Sequence, residues 1–152
     1  MGQDASSKRT SEKGTGQQMV DIDYILDLMA WNHSEKDQAK GIALSRKVKC
    51  INVFLQPGSP YGKSIWDNCA KVLAEKSDEA LSPYLIELME WLQDLTWPGA
   101  LRIMERLKRF SKCIAFELAL NRCVRIAEAL QEEAWLETLR QIMQEPHPSA
   151  AL

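Results

Sequence analysis

Histidine is nearly absent from this sequence: two residues, His33 and His147, in 152. Nucleophilic catalysis of the Ser–His or Cys–His kind needs an imidazole held beside the nucleophile, and both histidines fall in stretches that read as a loop and a tail. There is no Gly-x-Ser-x-Gly elbow, and no GxGxxG. The run Gly58 to Ser64 contains Gly-Lys-Ser, but a phosphate loop needs four residues between its glycines where Gly58 and Gly62 enclose three, and no strand precedes it. The four cysteines, Cys50, Cys69, Cys113 and Cys123, show no CxxC or CxxxH spacing, which argues against a zinc site. If residues 111 to 130 form one helix, Cys113 and Cys123 lie about 15 Å apart at 1.5 Å per residue, beyond the roughly 7 Å that a disulfide spans. Reduced, buried thiols are expected. No catalytic residue, metal site or cofactor is read from the sequence.

Excess positive charge is also missing. A net charge of -2 and a pI near 5.7 argue against holding nucleic acid by neutralising many phosphates. No apolar run reaches the roughly 18 to 20 residues that span a bilayer, and the N-terminus is polar where a signal peptide is apolar, so a cytoplasmic protein without a membrane partner is expected. Residues 1 to 18 hold no large apolar side chain after Met1 and read as a flexible tail. Residues 146 to 152 read as a frayed one. Between them, residues 19 to 145 carry enough of the 45% hydrophobic content for one ordinary core, hence one domain. Strand signals are lacking as well, because β-branched residues are scattered and no Asn-Gly or Asp-Gly separates alternating runs. The class is all-α.

What is present is helical periodicity. A stripe of Ile22, Ile25, Leu26, Leu28 and Met29 predicts a first helix from Asp21. Ser34 reads as the N-cap of a second, running from Glu35 to about Leu55 and buried at its C-terminal turns. "QPGSPYGKS", 56 to 64, is the longest loop signal. Ser64 is expected to cap a third helix, and Ser82 a fourth with Pro83 at its first position. Tyr84, Leu85, Leu88, Met89, Leu92 and Leu95 form the fourth helix's inner stripe. A fifth starts near Pro98 with Leu101, Met104, Leu107 and Phe110 inward. Ser111 opens the sixth, and Trp135, Leu136, Leu139, Ile142 and Met143 mark a seventh. Six or seven helices in antiparallel pairs fit a short helical stack or an irregular helical bundle.

The stretch "EWLQDLTWPGA", 90 to 100, concentrates the unusual residues. Pro98 takes Trp97 out of helical conformation, Gly99 admits close approach, and Asp94 or Thr96 can cap the next helix. On an ideal helix Trp91 sits about 60° from the inward Leu88–Leu92 line, a boundary position. The reading is a corner between two helices, with a notch at Trp91 and Trp97 as the alternative. Trp97→Ala is expected to lose about 2 kcal/mol or more. Glu87, Glu90 and Asp94 form an acidic row on the fourth helix, and Arg102, Arg106 and Arg109 a basic row on the fifth, expected to face each other across a groove. On this reading Arg106→Glu alters partner affinity with little effect on folding.

"YLIELMEWLQDLTWPGALRIMERLKRF", with "LMAWNHSEKDQAKGIAL" and "WDNCAKVLAEKSDEALSPYL", resembles a family of uncharacterised bacterial proteins with a HEAT-like α-superhelical fold and a Glu-Trp-Leu-Gln-Asp, Trp-Pro signature. The resemblance covers roughly residues 20 to 110 and is most specific at Trp91, Gln93, Asp94, Trp97 and Pro98. Residues 111 to 145 carry no matching signature. It implies a helical-repeat scaffold and no reaction. The leading expectation is a non-enzymatic interaction module binding protein or peptide, with an immunity- or antitoxin-type role by analogy alone. The alternatives are a small-ligand protein or enzyme with a carboxylate-lined pocket at Asp94, Glu90 and Trp97, and a nucleic-acid binder using the basic row.

Overall fold

Asp21 opens the first helix by accepting a hydrogen bond from the Tyr24 N–H at 3.1 Å, satisfying one of the donors that a helix start leaves unpaired. The computed structural model describes residues 21–144, so the tails expected at 1–18 and 146–152, and His147, lie outside the described residues. The helices are α1 (Ile22–Leu28), α2 (Glu35–Ser45), α3 (Trp66–Ala74), α4 (Asp78–Leu81), α5 (Leu85–Glu90), α6 (Ala100–Lys108), α7 (Ile114–Leu130) and α8 (Glu133–Gln144). Short 3-10 turns at Ile51–Phe54, Gly62–Ile65, Ser82–Tyr84 and Trp91–Gln93 complete them, and no strand occurs among the described residues. The fold is all-α, and no helix among the described residues is long and apolar enough to cross a membrane.

α1 lies tightly on α2 at Gly41, where an added Cβ would stand 2.7 Å from Met29 Cγ and 3.0 Å from Leu28 Cβ. Ser34 caps α2 as its sequence predicts, accepting from the Asp37 N–H at 3.1 Å. The helix ends at Ser45 and not near Leu55. There the Ser45 hydroxyl donates back to the Gly41 carbonyl at 2.8 Å, a local bond that weakens helix propagation, and Val48, Ile51 and Val53 are β-branched. Val48, Ile51 and Phe54 are nonetheless buried, as expected for that stretch, but through a 3-10 turn.

Three expected caps are elsewhere. The Ser64 hydroxyl donates to the Tyr61 carbonyl at 2.9 Å, and α3 starts at Trp66 with no side-chain cap. Ser77, not Ser82, accepts from the Ala80 N–H at 3.1 Å and opens α4, where Asp78 and Glu79 favour the positive helix end. Ser82 and Pro83 fall inside the same run, which tightens to a 3-10 turn where Pro83 offers no N–H. Ser111 lies before α7, whose N-cap is Cys113.

The buried side chains form one contiguous cluster. α3 packs on α6, α5 on α7, and α8 on both α7 and α6. Trp135 ties α8 to α5 by donating from its Nε1 to the Met89 carbonyl at 2.9 Å. Of the expected inner stripes, Leu101 and Met143 are exposed, and Tyr84 and Leu95 are half-buried. Leu101 is displaced because Ala100, Ile103, Met104 and Leu107 already fill the inner face of α6. All four cysteines are free, but only Cys69 and Cys123 are buried; Cys50 and Cys113 are exposed because each falls outside the helix expected to bury it. Desolvation pushes the Cys69 thiol up, and the Cys123 thiol to about 11.

Candidate interaction site

The corner at residues 90 to 100 is built on three tryptophans. Tightening of the chain at Trp91–Gln93 rotates Trp91 off its ideal boundary position into the core, where it is 0% exposed. Its Nε1 donates to the Pro98 carbonyl at 3.0 Å. Trp66 meets Trp91 edge-on with ring centroids 6.1 Å apart, and meets Trp97 in the same manner at 5.9 Å. Gly99 has φ of 84°, and a Cβ there would stand 2.7 Å from Ala70 Cβ and 2.8 Å from the Trp66 carbonyl. Asp94 does not cap α6: its Oδ1 accepts from the Thr96 N–H at 2.9 Å and the Thr96 hydroxyl at 2.6 Å, holding the turn and keeping its own carboxyl below the usual range. The N-cap of α6 is Gly99, with no side-chain bond. Trp97 is half-buried, so Trp97→Ala is expected to cost only about 1–2 kcal/mol in thermal unfolding, because part of its ring stays in water in the native state.

Beside this corner, α2, α3 and α6 border an open groove of about 590 Å³ lined by Ile42, Arg46, Lys71, Ala74, Glu75, Leu101, Arg102, Glu105 and Arg109. A notch of about 480 Å³, lined by Asp67, Leu95, Thr96, Trp97 and Gly99, adjoins it through shared Leu101 and Arg102. Leu101 is 57% exposed between the two hollows. The groove carries four cations and two carboxylates. Arg46 pairs with Glu75 at 3.0 Å, and this hydrogen bond holds the Glu75 carboxyl low against the opposing effect of burial. Arg102 pairs with Asp67 at 2.9 Å. The side chains of Lys71 and Arg109 make no hydrogen bond or ion pair among the described residues. With Asp67 on the notch wall, four cations face three carboxylates across the two hollows, a surplus of one positive charge that favours an anion although the chain as a whole is acidic.

The residues singled out in the sequence do not all meet here. Trp97, Arg102 and Arg109 line the groove or notch; Trp91 and Arg106 are interior. Arg106 is 6% exposed and its Nη2 donates to the Lys76 carbonyl at 2.8 Å and to Asp78 Oδ1 at 2.6 Å. The expected facing of an acidic row by a basic row does not form, because the arginines take their carboxylates from Asp67 on α3 and Asp78 on α4. Glu87 and Glu90 turn toward α7, where burial and the neighbouring Glu87 push the Glu90 carboxyl up and Arg122 partly offsets them. Glu87, Glu90 and Asp94 therefore share neither hollow. His33 lies between Asp27 and Asp37 at 3.3 and 3.2 Å, and no group of three or more metal-ligating side chains occurs among the described residues.

A sequence profile described as a domain of unknown function, DUF5071, matches residues 63–148, more than half of the chain. The chain belongs to this family. The DUF5071 segment takes in the corner, α6 and the last two helices, so the stretch from 111 onward, which carries no signature by resemblance, is part of it, while residues 20 to 62 lie outside. The α2 wall of the groove, Ile42 and Arg46, thus stands beyond the DUF5071 segment. No curated protein and no solved structure matches the chain. Ile42, Arg46, Lys71, Ala74, Glu75, Leu101 and Glu105 are the groove-lining residues that sequence reasoning overlooks. The signal, a surplus of cations, is spread over three helices and is masked by the expectation that Leu101 points inward.

Proposed function

We propose that this DUF5071 protein is a non-enzymatic interaction module whose groove and adjoining notch bind an acidic segment of a partner protein, with an apolar side chain of that segment seated on Leu101. The observation that carries this reading is the exposed Leu101 placed between two contiguous hollows and flanked by Arg46, Lys71, Arg102 and Arg109. An apolar anchor ringed by charge is the arrangement in which a few contacts dominate binding and the charges set partner choice. A single helical domain over about residues 19–145, a HEAT-like helical scaffold and a cytoplasmic setting belong to the same proposal. The packing of α1 with α2 and of α7 with α8 supports the scaffold. An immunity- or antitoxin-type role is one setting for such a module and rests on analogy. The nucleic-acid reading keeps only Arg102 and Arg109 of its basic row, since Arg106 is buried.

The test is affinity purification from the native cytoplasm, followed by titration of the captured partner against Leu101→Asp and Arg109→Glu. Both side chains are exposed, so Leu101→Asp should unfold at the wild-type temperature and Arg109→Glu, which loses an attraction to Asp78, slightly below it, while each substitution weakens binding by about tenfold. Wild-type affinity in both variants, or a nucleic acid as the captured species, would overturn the proposal.

A further inference from the structure

The two most exposed large apolar side chains among the described residues lie one turn apart on α7: Ile114 at 75% and Leu118 at 65%. Leu118 borders a hollow of about 370 Å³ between α5 and α7, with Pro83 and Ile86 on its other wall and Arg122 and Arg125 along its rim. None of these residues lines the α2–α3–α6 groove.

The polarity of this face follows from two contacts. Asp78, at the start of α4, accepts from the Ser111 N–H at 3.0 Å just before α7 begins. Further along, Glu90 at the end of α5 interacts with Arg122 on α7. The α4–α5 run and α7 therefore point the same way. Glu79 is exposed on α4 one turn before Pro83, next to the Asp78 that meets Ser111, so a carboxylate stands at the Ile114 end of the run and two guanidiniums at the other end of the hollow.

We propose that this face binds a second copy of the same chain about a two-fold axis midway between Ile114 and Leu118, with α7 antiparallel to α7 of the partner copy. A two-fold axis perpendicular to α7 reverses the direction of the face. It sets Ile114 of each copy on Leu118 of the partner copy, and brings Glu79 of each copy toward Arg122 and Arg125 of the other. A parallel arrangement would oppose carboxylate to carboxylate and guanidinium to guanidinium, so the charges select the antiparallel arrangement as well as the occupant. The hollow is small, and the pairing is correspondingly weak. Because no lining residue is shared, the dimer leaves both α2–α3–α6 grooves open, and its failure would say nothing about them.

Sedimentation and light scattering of the full chain across roughly 1 to 200 μM test this, spanning the affinity expected of an interface this small. The mass should rise from the 17.3 kDa monomer toward twice that value. Leu118→Asp should raise the dissociation constant at least tenfold, with helix content and unfolding temperature unchanged, since the side chain is exposed. Arg125→Glu should weaken the dimer, and adding Glu79→Lys in the same chain should restore it, because the swap recreates both symmetric pairs. A monomer mass at every concentration overturns the proposal. So does a dimer indifferent to Leu118→Asp, or a charge swap that fails to restore association.

Discussion

Trp91→Ala is expected to lower the unfolding free energy by about 3–5 kcal/mol, the range for removing a fully buried indole. Three separate losses combine. The ring is 0% exposed and its removal opens a cavity beside Gly99, where an added Cβ would stand only 3.0 Å from the indole. The Pro98 carbonyl loses its donor, and carbonyls in the turn of a corner have few alternatives. Trp66 loses one of its two edge-on partners and is left against Trp97 alone. Trp91→Phe separates these contributions, since it keeps most of the volume and drops the Nε1–H; about 1–2 kcal/mol is expected for it. Denaturant titrations of both variants measure the differences. A midpoint shift below that of the half-buried Trp97→Ala would refute the view that Trp91 fixes α5 against α6.

How far the sequence reveals this molecule depends on whether the deciding interaction is local. Apolar spacing locates α1, α7 and α8, and Ser34 caps α2 where it should, because each of these features is settled within one or two turns. The serine at 64 misleads for a related reason. A serine followed three residues later by an acid, here Asp67, is a local pattern, but its hydroxyl can equally donate backward, as Ser64 does to Tyr61. Trp91 shows a different limit: a wheel of 100° per residue puts it at a boundary, and one short stretch of tighter winding carries it inside. The groove is the extreme case. Its walls come from α2, α3 and α6, and nothing in the spacing of Arg46, Lys71 and Leu101 along the chain announces that they meet.

Arg106→Glu is expected to cost about 2–3 kcal/mol, less than the range for breaking a fully buried ion pair, because the Asp78 side chain is 38% exposed and partly screened by water. Along α6 the arginines at 102, 106 and 109 occupy one stripe, and the sequence treats them as a row on the surface. The turn between α3 and α4 rises over the middle one, so that Lys76 presents a carbonyl and Asp78 a carboxylate to the Arg106 guanidinium. A glutamate there places a second carboxylate beside Asp78 and leaves the Lys76 carbonyl without its donor. Asp78 also accepts from the Ser111 N–H, so the same substitution loosens the entry to α7. The pH dependence gives an independent check. Burial tends to push the Asp78 carboxyl up, but the hydrogen bonds from Arg106 and Ser111 outweigh it and hold the group below its ordinary value. A carboxylate with a lowered folded-state pKa contributes stability that is complete above the unfolded pKa and is lost as pH falls through the folded one. Wild-type stability should therefore decline below about pH 4, where free aspartate takes up its proton. In Arg106→Met, which removes the guanidinium without adding charge, that acid-side decline should flatten while the stability at neutral pH drops. Unfolding temperatures of the two proteins between pH 3 and 7 read both effects, and parallel curves would show that Arg106 does not hold Asp78 ionised.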